Sequence, residues 1–74
     1  MKIEFDPKYD ILNIEFLPNT KIEESLEIEG IIIDYAKDRR IVSIEILDAG
    51  KRTVSDPLNL LDLKIVKDTT SQLA

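Results

Sequence analysis

Two stretches of this chain alternate apolar and polar residues so regularly that antiparallel strands are the natural way to sort them onto two faces. Met1, Ile3 and Phe5 alternate with Lys2, Glu4 and Asp6, and Leu12, Ile14 and Phe16 alternate with Ile11, Asn13 and Glu15. Between the runs stands Asp6-Pro7-Lys8-Tyr9-Asp10. Proline presets φ for the second position of a turn, and aspartate suits the first. A loop of residues 7–10 places Asp6 opposite Ile11, and therefore Phe5 opposite Leu12, Ile3 opposite Ile14 and Met1 opposite Phe16. A slip of one residue would divide the apolar set between the two faces, so the pattern specifies the register.

The pattern returns further along. Ile31, Ile33 and Tyr35 alternate with Ile32 and Asp34, and Val42, Ile44 and Ile46 alternate with Ile41, Ser43, Glu45 and Leu47. A two-residue turn at Asp38-Arg39 would pair Tyr35 with Val42, Ile33 with Ile44 and Ile31 with Ile46. Such a turn favours glycine where φ is positive, so Arg39 implies either strain or a longer loop. The hairpins are predicted over about 1–6/11–17 and 31–36/41–48, with Gly30 opening the second. Its reverse face carries Ile32, Ile41 and Leu47 among Asp34, Ala36, Ser43 and Glu45. Three large aliphatic groups there call for a cover: the C-terminal segment, a second copy or a foreign partner.

The remaining segments are less regular. Leu26 and Ile28 between glutamates suggest an acidic edge strand over about 22–28, although Ile22 and Leu26 would also fit one helical turn. Ser55 and Pro57 suit the start of a short helix at about 56–61. Leu63 and Ile65 alternate with Asp62 and Lys64 as in a strand over roughly 62–67. The fold expected is mainly β (α+β), one small domain over residues 1–68 with a frayed tail at 69–74.

Composition narrows the function. There is no cysteine and no histidine, which removes disulfides, thiolate chemistry and the usual neutral-pH base. Net charge is −5, and residues 1–50 hold 12 acidic against 6 basic side chains. Nucleic acids and anionic membranes are poor partners for such a chain, and basic proteins are better ones. No apolar run approaches the ~20 residues that cross a bilayer, and the N-terminus does not read as a signal peptide; the cytoplasm is the expected compartment. A chain of 74 residues hides only about 60–65% of its unfolded surface, so association is an expectation from size alone.

The run Phe5-Asp6-Pro7-Lys8-Tyr9-Asp10-Ile11-Leu12-Asn13-Ile14 resembles the Y-D-x-x-x-D-x-L-x-I opening of a small prokaryotic domain family of unknown function. Gly30-Ile31-Ile32-Ile33-Asp34-Tyr35 and Ile41-Val42-Ser43-Ile44-Glu45-Ile46-Leu47-Asp48-Ala49 resemble its G-V-x-x-D-Y and V-V-G-I-E-I-L-D-A segments. The resemblance covers about residues 1–52. Two departures stand out: Asp38-Arg39 where Asp-Gly is frequent, and Ser43 in place of a glycine. The resemblance implies a compact antiparallel β domain and brings no catalytic residue or cofactor with it. It also implies proteins that partner small toxin-like neighbours.

Chemistry would have to rest on carboxylates. Asp34 and Glu45 share the reverse face of the second hairpin, and Asp6 and Asp10 flank the first turn. Such pairs can divide acid and base roles or hold Mg²⁺ or Ca²⁺, but Asp6 and Asp10 are more simply read as caps of their own turn. Glu23, Glu24, Glu27 and Glu29 read as a solvated strip. Ser25, Ser43, Ser55 and Ser71 have no histidine to activate them. Tyr9 and Tyr35 read as aromatics at the edge of the core. The expected function is therefore a non-catalytic protein-binding module without cofactor or metal, a partner or antitoxin of a small basic protein. The alternative is a structural homodimer closed by Ile32, Ile41 and Leu47, and a third reading is a carboxylate metal-binding protein.

Overall fold

The computed structural model describes residues 1–54 and 56–66. Five strands form one antiparallel sheet: β1 Lys2–Asp6, β2 Ile11–Glu15, β3 Glu24–Ile28, β4 Ile31–Tyr35 and β5 Ile41–Leu47. Their spatial order is β1-β2-β5-β4-β3, so the first hairpin and the later three-strand meander join along β2 and β5. β5 lies at the centre, and β1 and β3 are the edges.

The first hairpin has the register that alternation demands, with Ile3 opposite Ile14, Phe5 opposite Leu12 and Asp6 opposite Ile11. The Asp6 carboxylate accepts the N–H groups of Lys8 at 2.9 Å and Tyr9 at 3.3 Å, which folds the turn locally. The expected Met1–Phe16 pair does not form. β1 begins at Lys2, Met1 is exposed, and the Phe16 N–H donates to the Val42 carbonyl.

The meander is built from two different turns. Ile28 pairs with Ile31 across Glu29-Gly30, whose φ angles of 49° and 79° are both positive, as a type I′ turn requires. Gly30 thus closes the β3–β4 hairpin and does not merely open a strand. Between β4 and β5 the loop is one residue longer than a Asp38-Arg39 turn. Ala36 N–H donates to the Arg40 carbonyl at 2.8 Å, Arg39 N–H donates to Ala36, and Arg39 sits at φ 73°. Three-residue hairpin loops place a left-handed residue at this position. The Arg39 side chain has local support there: its guanidinium lies 4.4 Å from the centre of the Tyr35 ring and pairs with Glu24.

The longer loop shifts the register. Ile33 faces Ile44 and Ile31 faces Ile46, but Tyr35 faces Ile41 instead of Val42, leaving a bulge between Asp34 and Tyr35. Val42 is buried, and its carbonyl accepts both the Phe16 and Leu17 N–H groups. An extra residue that bends a strand and gathers hydrogen bonds from a neighbouring segment is how a bulge terminates regular pairing.

The C-terminal part departs from the helix expected at 56–61. A single α turn, α1, forms earlier at Ala49–Arg52, and Pro57–Leu60 makes a 3₁₀ turn. The stretch 61–66 is not a strand, and Leu61, Leu63, Ile65 and Val66 are exposed. Short alternation supplies no hydrogen-bonding partner, and the sheet offers these residues no pairing. Ser55, Lys67 and the tail expected at 69–74 lie outside the described residues. Outside the sheet, α1 packs against β2 and the 3₁₀ turn against β1. The buried apolar residues are Ala36, Val42 and Ala49, and among the described residues no large side chain is fully buried. A one-layer sheet cannot enclose one.

Candidate functional site

The registers place the apolar residues in two rows that run unbroken across all five strands. One row is Ile3, Ile14, Ile44, Ile33 and Leu26; the other is Phe5, Leu12, Ile46, Ile31 and Ile28. Side chains on one strand lie on the same face at every second residue, so both rows share a face. Leu26 and Ile28, on the β3 edge, are 45% and 55% exposed, and the other eight are half-buried. The main contacts of α1 and the 3₁₀ turn are with β2 and β1, at the end of the strand order away from β4 and β3.

The reverse face is acidic. Glu4, Asn13, Glu45, Ile32 and Glu27 form one cross-strand row, and Lys2, Glu15, Ser43, Asp34 and Ser25 form the next. Asp34 and Glu45 do share this face. Asp34 is 9% exposed and its carboxylate accepts hydrogen bonds from Ser25 Oγ at 2.6 Å and Ser43 Oγ at 2.7 Å. Each carboxylate oxygen has one donor, so this buried acid ties three strands in register.

Asp6 and Asp10 separate in role. Asp10 stands at φ 57° and, instead of capping its own turn, clasps the start of α1. Its carbonyl accepts Ala49 N–H at 2.9 Å, and its carboxylate accepts Gly50 N–H at 2.8 Å and Lys51 N–H at 3.4 Å. One residue thereby satisfies the first three amides of a helical turn about forty positions away. Asp48, in the left-handed region at φ 54°, and the fully buried Ala49 complete the corner. Spacing alone gave no sign of this contact.

Ile32, Ile41 and Leu47 do not form one patch. Ile32 sits between Glu27 and Glu45, Leu47 faces Ile11, and Ile41 lies at the other end of β5, moved opposite Tyr35 by the bulge. Six residues of strand put Ile41 and Leu47 roughly 20 Å apart. None of the three lines the open depression formed by Glu4, Phe5, Asp6, Pro7, Ile11, Asn13 and Glu45. Among the described residues, no group of three Asp or Glu is placed to hold a metal ion. Asp38, at the β4–β5 tip, has its carboxyl held below the usual range, first by the Arg40 N–H at 3.1 Å and then by the Arg40 guanidinium at 2.8 Å. No helix among the described residues is long and apolar enough to cross a membrane.

These features define a single-layer antiparallel β domain with one apolar and one acidic face and a carboxylate clasp at the exit of its central strand. The family described as "Protein of unknown function (DUF2283)" matches residues 2–49, and the chain belongs to that family. The matched stretch contains all five strands and stops at the first residue of α1, so it includes Asp10, Asp48 and Ala49. Comparison with curated proteins and with solved structures gave no match.

Proposed function

We propose that the chain is a small, non-catalytic protein-binding module that works through the apolar face of its sheet. The observation that carries this reading is the pair of five-residue rows, ten large apolar residues of which none is buried. Monomers rarely leave contiguous apolar patches of more than a few hundred Å² in water, and larger ones mark interaction surfaces. A non-catalytic role agrees with an Asp34 already held by two serines and with a chain lacking His and Cys.

The test compares wild type with Ile33→Lys on the apolar face and Glu27→Lys on the acidic face. Each is measured by light scattering and used as bait in native lysate. Association by the wild type, lost in Ile33→Lys and kept in Glu27→Lys, is the expected result. A wild-type chain that stays monomeric at about 100 μM, well above micromolar dissociation constants, and retains no protein would refute the proposal.

The acidic reverse face supports a second reading. Glu4, Glu15, Glu27 and Glu45 would meet a basic protein of the toxin-like kind that the family resemblance implies. Binding there would weaken with added salt and with Glu27→Lys, the opposite of the pattern for the apolar face.

A further inference from the structure

We infer that the apolar face is covered by a second copy of this chain, the two sheets stacking face to face across a two-fold axis near Ile44 and Ile46 of β5. This rests on the reading of that face as a binding surface and names its occupant.

The area is sufficient. Five strands at ~4.8 Å spacing and five residues at ~3.4 Å rise give a face of about 400 Å² in projection. Doubled for two copies and with side-chain relief added, this reaches about 1,000 Å², the smallest area expected of a biological interface.

Charge then selects the copy and the face. A chain of net charge −5 can meet itself only where it carries no carboxylates, and the two rows carry none. Glu24, at one end of the face, is neutralised by Arg39. The acids of the reverse face would point outward. With sheets about 10 Å apart, the two acidic surfaces lie farther apart than the ~8 Å screening length of physiological salt. Pairing through the β3 edges would instead set Glu23, Glu24, Glu27 and Glu29 of the two copies against each other. Folding adds a further reason. A sheet in which no large side chain is fully buried among the described residues gains from a second layer whenever it folds, and a copy of itself is always at hand.

The chain has no cysteine, so Ile44→Cys and Glu45→Cys each introduce a unique thiol, on the apolar and acidic faces respectively. Light scattering should give about twice 8.5 kDa for wild type. A bis-maleimide spanning about 10 Å, the separation of stacked sheets, should link Ile44→Cys into a dimer and leave Glu45→Cys unlinked. A monomeric wild type at about 100 μM, or cross-linking of Glu45→Cys in place of Ile44→Cys, would overturn the inference. If the wild type is monomeric yet retains a foreign protein that Ile33→Lys loses, the copy is excluded and the binding reading stands. If it retains nothing, both fall.

Discussion

Replacing Asp10 should reveal how much of the domain depends on one clasp. Asp10→Ala removes the carboxylate that accepts Gly50 and Lys51 N–H, one bond at 2.8 Å and one long bond at 3.4 Å. Loss of an N-terminal cap costs about 1 kcal/mol. The residue also sits at φ 57°, a strained conformation that alanine, with the same Cβ, retains. The loss is therefore about 1 kcal/mol, or a fall in Tm of roughly 4–8 °C for a domain of this size. Asp10→Gly separates cap from backbone, since glycine loses the cap but relieves the φ angle, so it should fall by about half as much. Asp10→Asn keeps an acceptor oxygen and tolerates the left-handed region, and should be the mildest of the three. Thermal and urea unfolding followed by circular dichroism, at one fixed chain concentration, measure the series. A loss below about 0.5 kcal/mol for Asp10→Ala, within the range of ordinary surface substitutions, would refute the clasp. Equal losses for alanine and glycine would refute the backbone part of the argument.

Other substitutions address other parts of the fold. Ser43→Ala leaves one oxygen of the nearly buried Asp34 without its donor and should destabilise by about 1–3 kcal/mol in urea unfolding; no effect would mean that the carboxylate does not need the serine. Arg39→Gly relieves a positive φ but gives up the Glu24 pair and the Tyr35 stacking, so stability should change by less than about 1 kcal/mol, whereas Arg39→Ala should be clearly worse than Arg39→Gly. Gly30→Ala places a Cβ 3.0 Å from Arg52 Nη1 at φ 79°; the arginine end can move, and the backbone penalty of about 1 kcal/mol should remain in thermal unfolding. The Asp38 carboxyl is depressed in the folded chain. Its contribution is therefore present above the unfolded carboxylate range and is lost as pH falls through the folded value. Asp38→Asn should remove a small, acid-side part of the pH dependence of Tm, and a steeper acid loss in the variant would contradict the assignment.

Sequence alone determined most of the strand pairing, because a period of two leaves little freedom. The Phe5–Leu12, Ile3–Ile14, Ile33–Ile44 and Ile31–Ile46 pairs follow from alternation and loop length. The acidic edge strand at β3 and the Asp6 turn were legible for equally local reasons. What lay beyond local rules was decided by the folded chain. An arginine in the left-handed region, supported by Glu24 and Tyr35, lengthened a loop, and the resulting bulge moved Ile41 out of the surface proposed for it. Meeting of β2 with β5 joined two half-faces into unbroken apolar rows on the side that alternation had marked as core. Asp10 found its role in a helical turn that its own neighbourhood does not contain. Alternation states which residues share a face; which face is left without a second layer depends on where the rest of the chain packs, and no local period encodes that.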